Sequence, residues 1–203
     1  MSQNPPSKVL LAVSGASGAI YATTTLRLLL QAGVKVDLIY SPAAVRVLKE
    51  EMDILLSNDP SVLIPTGQDR TSVQMHDHAD IGAAPASGSS LAPVMIIAPC
   101  SLSTLAGIAN GLASNLIERA AQVALKEGKK LVVVPRETPI SRLHLDHLSK
   151  LAWAGATVLP ACPGFYQRPQ SIEDLVTQLC SKILGVCGIA QNEVPPWTGT
   201  GEA

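Results

Sequence analysis

VSGASGAIYA, residues 13–22, follows the apolar run Lys8-Val-Leu-Leu-Ala and precedes Thr23–Gln31, where apolar residues recur at helical spacing. An apolar run, a glycine-containing turn and a helical pattern read as strand, loop and helix. That is the unit in which α/β proteins seat a phosphate against a helix N-terminus. Gly15-Ala-Ser-Gly18 lacks the third glycine of a dinucleotide fingerprint and the lysine of a P-loop, so it does not name its ligand. Gly15 and Gly18 permit close backbone approach, and Ser17 offers an amide and a hydroxyl at the start of a helix. A plain helix cap is the simpler account of the same residues.

The unit repeats along the chain. Short, apolar, β-branched runs at Val9–Val13, Val34–Ile39, Val94–Ala98, Leu131–Pro135 and Thr157–Leu159 do not alternate, as expected of strands covered on both faces. Helical patterns fall between and after them at Ile20–Gln31, Ala43–Glu51, Ser101–Ile108, Leu116–Glu127, Ser141–Ala154 and Ile172–Leu184. This alternation predicts an α/β fold, a doubly wound parallel sheet with right-handed crossovers. The stretch Asp53–Ser90 breaks the rhythm with Pro, Gly, Asp and Ser and reads as a long irregular insertion, a feature that is often functional.

The 203 residues predict one domain, 1–203, with extended tails at 1–7 and 192–203. Hydrophobic residues make up 47% and charged residues only 15%, a surplus that points to a buried parallel sheet and large subunit interfaces. No apolar run approaches the roughly 20 residues that a membrane span needs. A net charge of −1 gives no electrostatic case for nucleic acid or an anionic membrane. MSQNPPSK carries no apolar signal core, so the expected location is the cytoplasm. Cys100, Cys162, Cys180 and Cys187 have no CxxC spacing and read as reduced thiols; no metal is expected. His76-Asp-His78 reads as part of a polar surface loop rather than a metal pair.

In such sheets the ligand lies beyond the carboxyl ends of the strands. The residues there are Ser14–Gly18, Tyr40–Ser41, Pro99–Thr104, Arg136–Pro139 and Pro160–Arg168, groups rich in hydroxyl and guanidinium side chains. Ser41 before Pro42 is capping chemistry. Ser101, Ser103 and Thr104 supply three hydroxyls where one cap would suffice, and the surplus points to an anionic ligand. Arg136-Glu137, directly after a buried strand, combines a bidentate anion clamp with a carboxylate able to move a proton. Arg119 and Lys126 share one helical face, Tyr166 falls in a turn after the last strand, and Lys182 lies on the helix that follows.

SGASGAIYA, PASGSS, PCSLST, NLIERAAQVALKE, VVVPRETP, LPACPGFYQRPQS and the late Trp197, in this order from about Lys8 to Trp197, resemble the flavin prenyltransferases, the UbiX-type branch of the flavin-containing cysteine decarboxylase superfamily. The resemblance implies a flavodoxin-like Rossmann three-layer fold that binds FMN and assembles as a dodecamer, with active sites at subunit junctions. It implies transfer of the dimethylallyl group of dimethylallyl monophosphate to reduced FMN, forming a fourth ring. The product, prenylated FMN, would serve a UbiD-type decarboxylase. By the same resemblance Gly15, Ala16 and Ser17 cradle the flavin, with Ser17 near the reacting nitrogen. Ser41, Ser101, Leu102, Ser103, Thr104 and Arg136 match FMN-binding positions. Tyr166 and Lys182 match prenyl-phosphate positions, with Lys182 standing where relatives often carry arginine. Arg119, Lys126 and Glu137 match phosphate-side and proton-transfer positions, while Glu51 and Trp197 match further active-site positions.

Two other readings are open. Cysteine decarboxylases of the superfamily typically end the Pro-Ala-Ser loop in Asn-Thr and carry a histidine in the first helix region. Here Pro85-Ala-Ser-Gly-Ser-Ser90 and Ile20-Tyr21 stand instead. A non-catalytic FMN-binding module would not need Arg119, Lys126, Tyr166 and Lys182.

Overall fold

The computed structural model describes residues 5–194. Its strands are β1 (Lys8–Val13), β2 (Lys35–Tyr40), β3 (Val73–His76), β4 (Val94–Cys100), β5 (Lys130–Pro135) and β6 (Thr157–Val158). Its α-helices are α1 (Ala19–Gln31), α2 (Pro42–Met52), α3 (Leu102–Ala109), α4 (Leu116–Lys126), α5 (Arg142–Trp153) and α6 (Ile172–Val186). All neighbouring strands are parallel, in the order β3-β2-β1-β4-β5-β6.

The central strands β1, β4 and β5 are apolar on both faces because each face meets helices. In β1, Val9, Leu11 and Val13 join the cluster built with α1, α2 and α6, while Leu10 and Ala12 join the one built with α3, α4 and α5. Full burial of each Val or Leu is worth roughly 1.5–3 kcal/mol, so this two-sided pattern dictates the three layers. The chain builds outward from β1 to β3, then crosses back to β4 on the other side of β1. The crevice between β1 and β4 is therefore the topological switch point, where such sheets bind ligands.

Helix starts follow the hydroxyl and amide caps visible in the sequence. Ser41 accepts from Ala44 N at 3.1 Å, Ser101 from Thr104 N at 3.3 Å and Asn115 from Glu118 N at 3.0 Å. Ser141 and Ser171 each form a capping box.

One strand departs from the sequence expectation. β3 lies inside the stretch read as irregular, paired to the outer side of β2 from Val36↔Val73 to Ile39↔His76. Val73 and Met75 face the α1 layer, as suits an edge strand with one apolar face. His76 is consequently not in a surface loop. It ends β3 with its side chain only 8% exposed, and its Nε2 meets Asp37 Oδ1 at 3.0 Å.

Candidate active site

At the carboxyl edge of the sheet three strand ends are tied together. Ser41 N donates to Val13 O at 2.9 Å, Ser14 N to Pro99 O at 3.1 Å, and Ser101 N to Ser14 Oγ at 2.7 Å. The loops after β1, β2 and β4 thus form one surface. On it the hydroxyl of Ser101 lies 3.1 Å from those of Ser103 and Thr104. Leu102 and Ser103, the next residues of the same turn, open α3 with amides that no carbonyl of their own helix can reach.

The start of α1 is capped from outside its own loop. Gly18 adopts φ 110°, the left-handed region that favours glycine, and opens α1 without a side-chain cap of its own. Glu51, at the end of α2, supplies the cap. Its carboxylate accepts from Gly18 N at 2.9 and 3.1 Å and from Ala19 N at 2.8 Å. The positive end of α1 is therefore occupied by the chain's own carboxylate rather than left open for a phosphate. Gly15 is required by packing: a Cβ there would lie 2.4 Å from Ala43 Cβ. Ala16 is buried, and Ser17 stands exposed at the tip.

Ser17 is held from two sides. Its side chain lies beside the Glu51 carboxylate and favours that group's charge, and its carbonyl accepts from Arg136 Nε at 2.8 Å. Burial works to raise the Glu51 pKa. The Ser17 hydroxyl, the Ala19 and Gly18 amides and the Arg136 charge outweigh it, so the carboxyl sits below its ordinary value. Arg136 thus reaches the β1 loop from the end of β5. Glu137 beside it is exposed, and its carboxylate takes the amide of Thr138 at 3.0 Å.

The remaining cations lie elsewhere. Arg119 and Lys126 are exposed on α4, and Lys126 pairs with Glu127 at 2.9 Å. α4 runs antiparallel to the strands, and Lys130, four residues on, opens β5 at the opposite edge of the sheet. At 1.5 Å per residue, Lys126 stands about 15 Å down the helix from its start near the carboxyl edge of the sheet. Lys182 is exposed on α6, in the other helical layer. The Gly164–Tyr166 turn lies over α6 one helical turn earlier, since a Cβ on Gly164 would be 3.5 Å from the Tyr166 ring and 3.7 Å from the Gln178 amide. The sequence-selected residues therefore fall toward two ends of the sheet: the loops with Ser17, Ser41, Ser101, Arg136 and Glu137 stand at its carboxyl edge, where the segment leading to Tyr166 also leaves β6 beside Pro135, Ala161 N donating to Pro135 O at 2.9 Å, while Lys126 lies toward the opposite edge. Trp197 lies outside the described residues. Among the described residues no cluster of three or more His, Cys, Asp or Glu is arranged to hold a metal ion, and no helix is long and apolar enough to cross a membrane.

The profile described as Flavoprotein matches residues 1–184. The flavin prenyltransferase UbiX of Pseudomonas aeruginosa is 44% identical over 197 residues, covering 95% of this chain and 94% of the relative. That of Synechocystis is 42% identical, covering 94% and 96%. Among solved structures, a UbiX in complex with FMN and dimethylallyl pyrophosphate superposes with a TM-score of 0.88 at 34% identity, covering 97% of this chain and all of that one. A dodecameric FMN-dependent UbiX-like decarboxylase from Escherichia coli gives a TM-score of 0.85 at 34% identity, covering 95% of this chain and 100% of its own. With a family profile over most of its length and close relatives end to end, this chain belongs to the flavoprotein family and, within it, to the UbiX-type flavin prenyltransferases.

Proposed function

We infer that the protein joins the dimethylallyl group of dimethylallyl monophosphate to reduced FMN, yielding prenylated FMN for a UbiD-type decarboxylase. The observation that carries this reading is the convergence of Ser17, Glu51, Ser101 and Arg136 on one crevice at the β1–β4 switch point, with Lys126 kept apart from it on α4. When bound, reduced FMN supplies the nucleophilic ring positions that take the prenyl group.

The residues fit FMN. Gly15, Ala16 and Ser17 line one side, Ser41 closes the β2 end, and the α3 first turn from Ser101 to Thr104 offers hydroxyls and amide donors to its polar groups. Arg136 brackets the site and keeps Ser17 in place. Ionised Glu51 is an acceptor, so the Ser17 hydroxyl donates to it and its orientation is fixed.

Departure of the allylic phosphate requires cations and hydrogen-bond donors around its oxygens. Lys126, Arg119, Lys182 and the Tyr166 hydroxyl are assigned to it. Trp197 is assigned to walling the allyl group from water. Glu137 takes the proton released on ring closure. Because Lys126 stands away from the Glu137 loop on one chain, complete sites form where copies of the chain meet, in a homo-oligomer of the dodecameric kind. The four unpaired cysteines fit a reducing compartment such as the cytoplasm.

The test is to incubate purified protein with FMN, dithionite and dimethylallyl monophosphate and weigh the flavin. A flavin heavier by one prenyl unit is expected. Bound but unmodified FMN would make the chain a flavin-binding module, and loss of carbon dioxide from a cysteine-ended substrate would make it a decarboxylase.

A further inference from the structure

Ser14 opens the SGASGAIYA motif, one place before Gly15, and carries none of the roles assigned above. It is 1% exposed. Three backbone amides fasten the β1 end to its two neighbours: Ser41 N donates to Val13 O, Ser14 N to Pro99 O, and Ser101 N to Ser14 Oγ. Only the third uses a side chain. At 2.7 Å it is also the shortest of the three, and the Ser14 hydroxyl completes its own bonding by donating to Pro99 O at 3.4 Å.

The consequence reaches the first turn of α3. Of the amides there, that of Ser101 is taken by Ser14 Oγ and that of Thr104 by Ser101 Oγ. Leu102 and Ser103 lie between these two fixed points, so their amides are the donors that the turn presents. The same fixture orients Ser101, whose hydroxyl anchors those of Ser103 and Thr104. Without the Ser14 hydroxyl the Ser101 amide loses its acceptor in a buried place. The turn can then rotate to satisfy it at the expense of the ligand.

We propose that Ser14 is a positioning residue for FMN: its hydroxyl locks the β4–α3 turn to the β1 loop so that the Leu102 and Ser103 amides and the Ser101–Ser103–Thr104 hydroxyls meet the flavin nucleotide. This rests on the reading of the β1–β4 crevice as the flavin site. Ser14 touches neither substrate; it acts through Ser101.

Ser14→Thr and Ser14→Val provide the test, since the two side chains share a shape and differ in the hydroxyl. FMN affinity is read by quenching of flavin fluorescence. The Michaelis constant for dimethylallyl monophosphate is read at saturating reduced FMN. Ser14→Val is expected to bind FMN about tenfold more weakly than Ser14→Thr, the scale of one net hydrogen bond, with the prenyl-phosphate constant the same in both. If both variants bind FMN alike, the hydroxyl does not matter and the inference is overturned. If Ser14→Val raises both constants together, Ser14 is a packing element and the inference likewise falls. If unmutated protein fails to bind FMN, the flavin reading itself is wrong, an outcome distinct from the other two.

Discussion

Glu51 caps a helix to which it does not belong: its carboxylate takes the Gly18 amide at 2.9 and 3.1 Å, closing α1 from the end of α2. The two residues are 33 positions apart in sequence. The contact does two things at once. It satisfies an N-terminus that Gly18, with no side chain, leaves open, and it sets an ionised carboxylate beside the Ser17 side chain.

Glu51→Gln is expected to cost little stability, about 0.3–1 kcal/mol for an exposed carboxylate at a helix N-terminus, and much more activity, because Ser17 loses its charged acceptor. The Glu51 carboxyl is held below its ordinary value, so its contribution is complete above the usual carboxylate range near about 4.3 and is lost as pH falls through the lower folded value. Thermal melts and single-turnover rates of the variant check both statements. A large loss of melting temperature with normal turnover would reverse the assignment.

Arg136→Ala should release FMN. The guanidinium has its Nε on the Ser17 carbonyl. Removing it frees the β1 loop and deletes charge-assisted hydrogen bonds worth roughly 1.5–3 kcal/mol. Flavin content after gel filtration is the measurement, and full occupancy in the variant would take Arg136 out of the site.

Asp37 predicts the acid limb of stability. It is almost wholly buried, with Oδ2 on Lys8 Nζ at 2.7 Å and Oδ1 on His76 Nε2 at 3.0 Å, joining β1, β2 and β3. Burial opposes its charge, but the His76 and Lys8 interactions outweigh burial and lower its pKa. A depressed carboxyl stabilises above the unfolded value of about 3.9, and that stability fades as pH falls from there through the folded value. Asp37→Asn should cost about 3 kcal/mol near neutrality, the scale for breaking a buried pair, and should flatten the dependence of urea midpoints on pH between about 5 and 3. An unchanged acid slope would mean that another carboxylate controls it.

The sheet was legible where burial on both faces forces continuous apolar runs, as in Val94–Ala98 and Leu131–Pro135, and the helices where Ser41, Ser101 and Ser141 announce their starts. β3 was not, because an edge strand needs only Val73 and Met75 on one face and hides among turn residues. That the loops after β1, β2 and β4 meet at the carboxyl edge was legible from their positions after strands. The Glu51 cap was not, since nothing local in Lys49-Glu-Glu-Met52 indicates which carboxylate turns toward α1. Gly15 was read as room for a ligand, but the room is filled by Ala43 from the next helix, a tertiary contact with no sequence signal. The separation of Lys126 from Glu137 follows from helix direction, which appears only once the strand order is known.

That separation allows a decisive test. Lys126→Ala removes a contact that strengthens as phosphate departs, so turnover should fall by roughly 10²–10³ while FMN binding persists, Lys126 being at the far edge of the sheet. Glu137→Gln keeps the shape but removes the proton acceptor and should also stall turnover with FMN and prenyl phosphate both bound. Each variant alone is expected to be nearly inactive. If each complete site takes Glu137 from one copy and Lys126 from another, subunits of the two variants unfolded and reassembled together in equal amounts will rebuild intact sites. Random mixing pairs a sound Glu137 with a sound Lys126 in about one quarter of sites, so about that fraction of unmutated activity should return, rising and falling with the mixing ratio. If both residues served one site from the same chain, every site would carry one lesion and no ratio would restore turnover. Activity that stays at the level of the separate variants would therefore place Lys126 and Glu137 in a single-chain site and remove the shared-site mechanism.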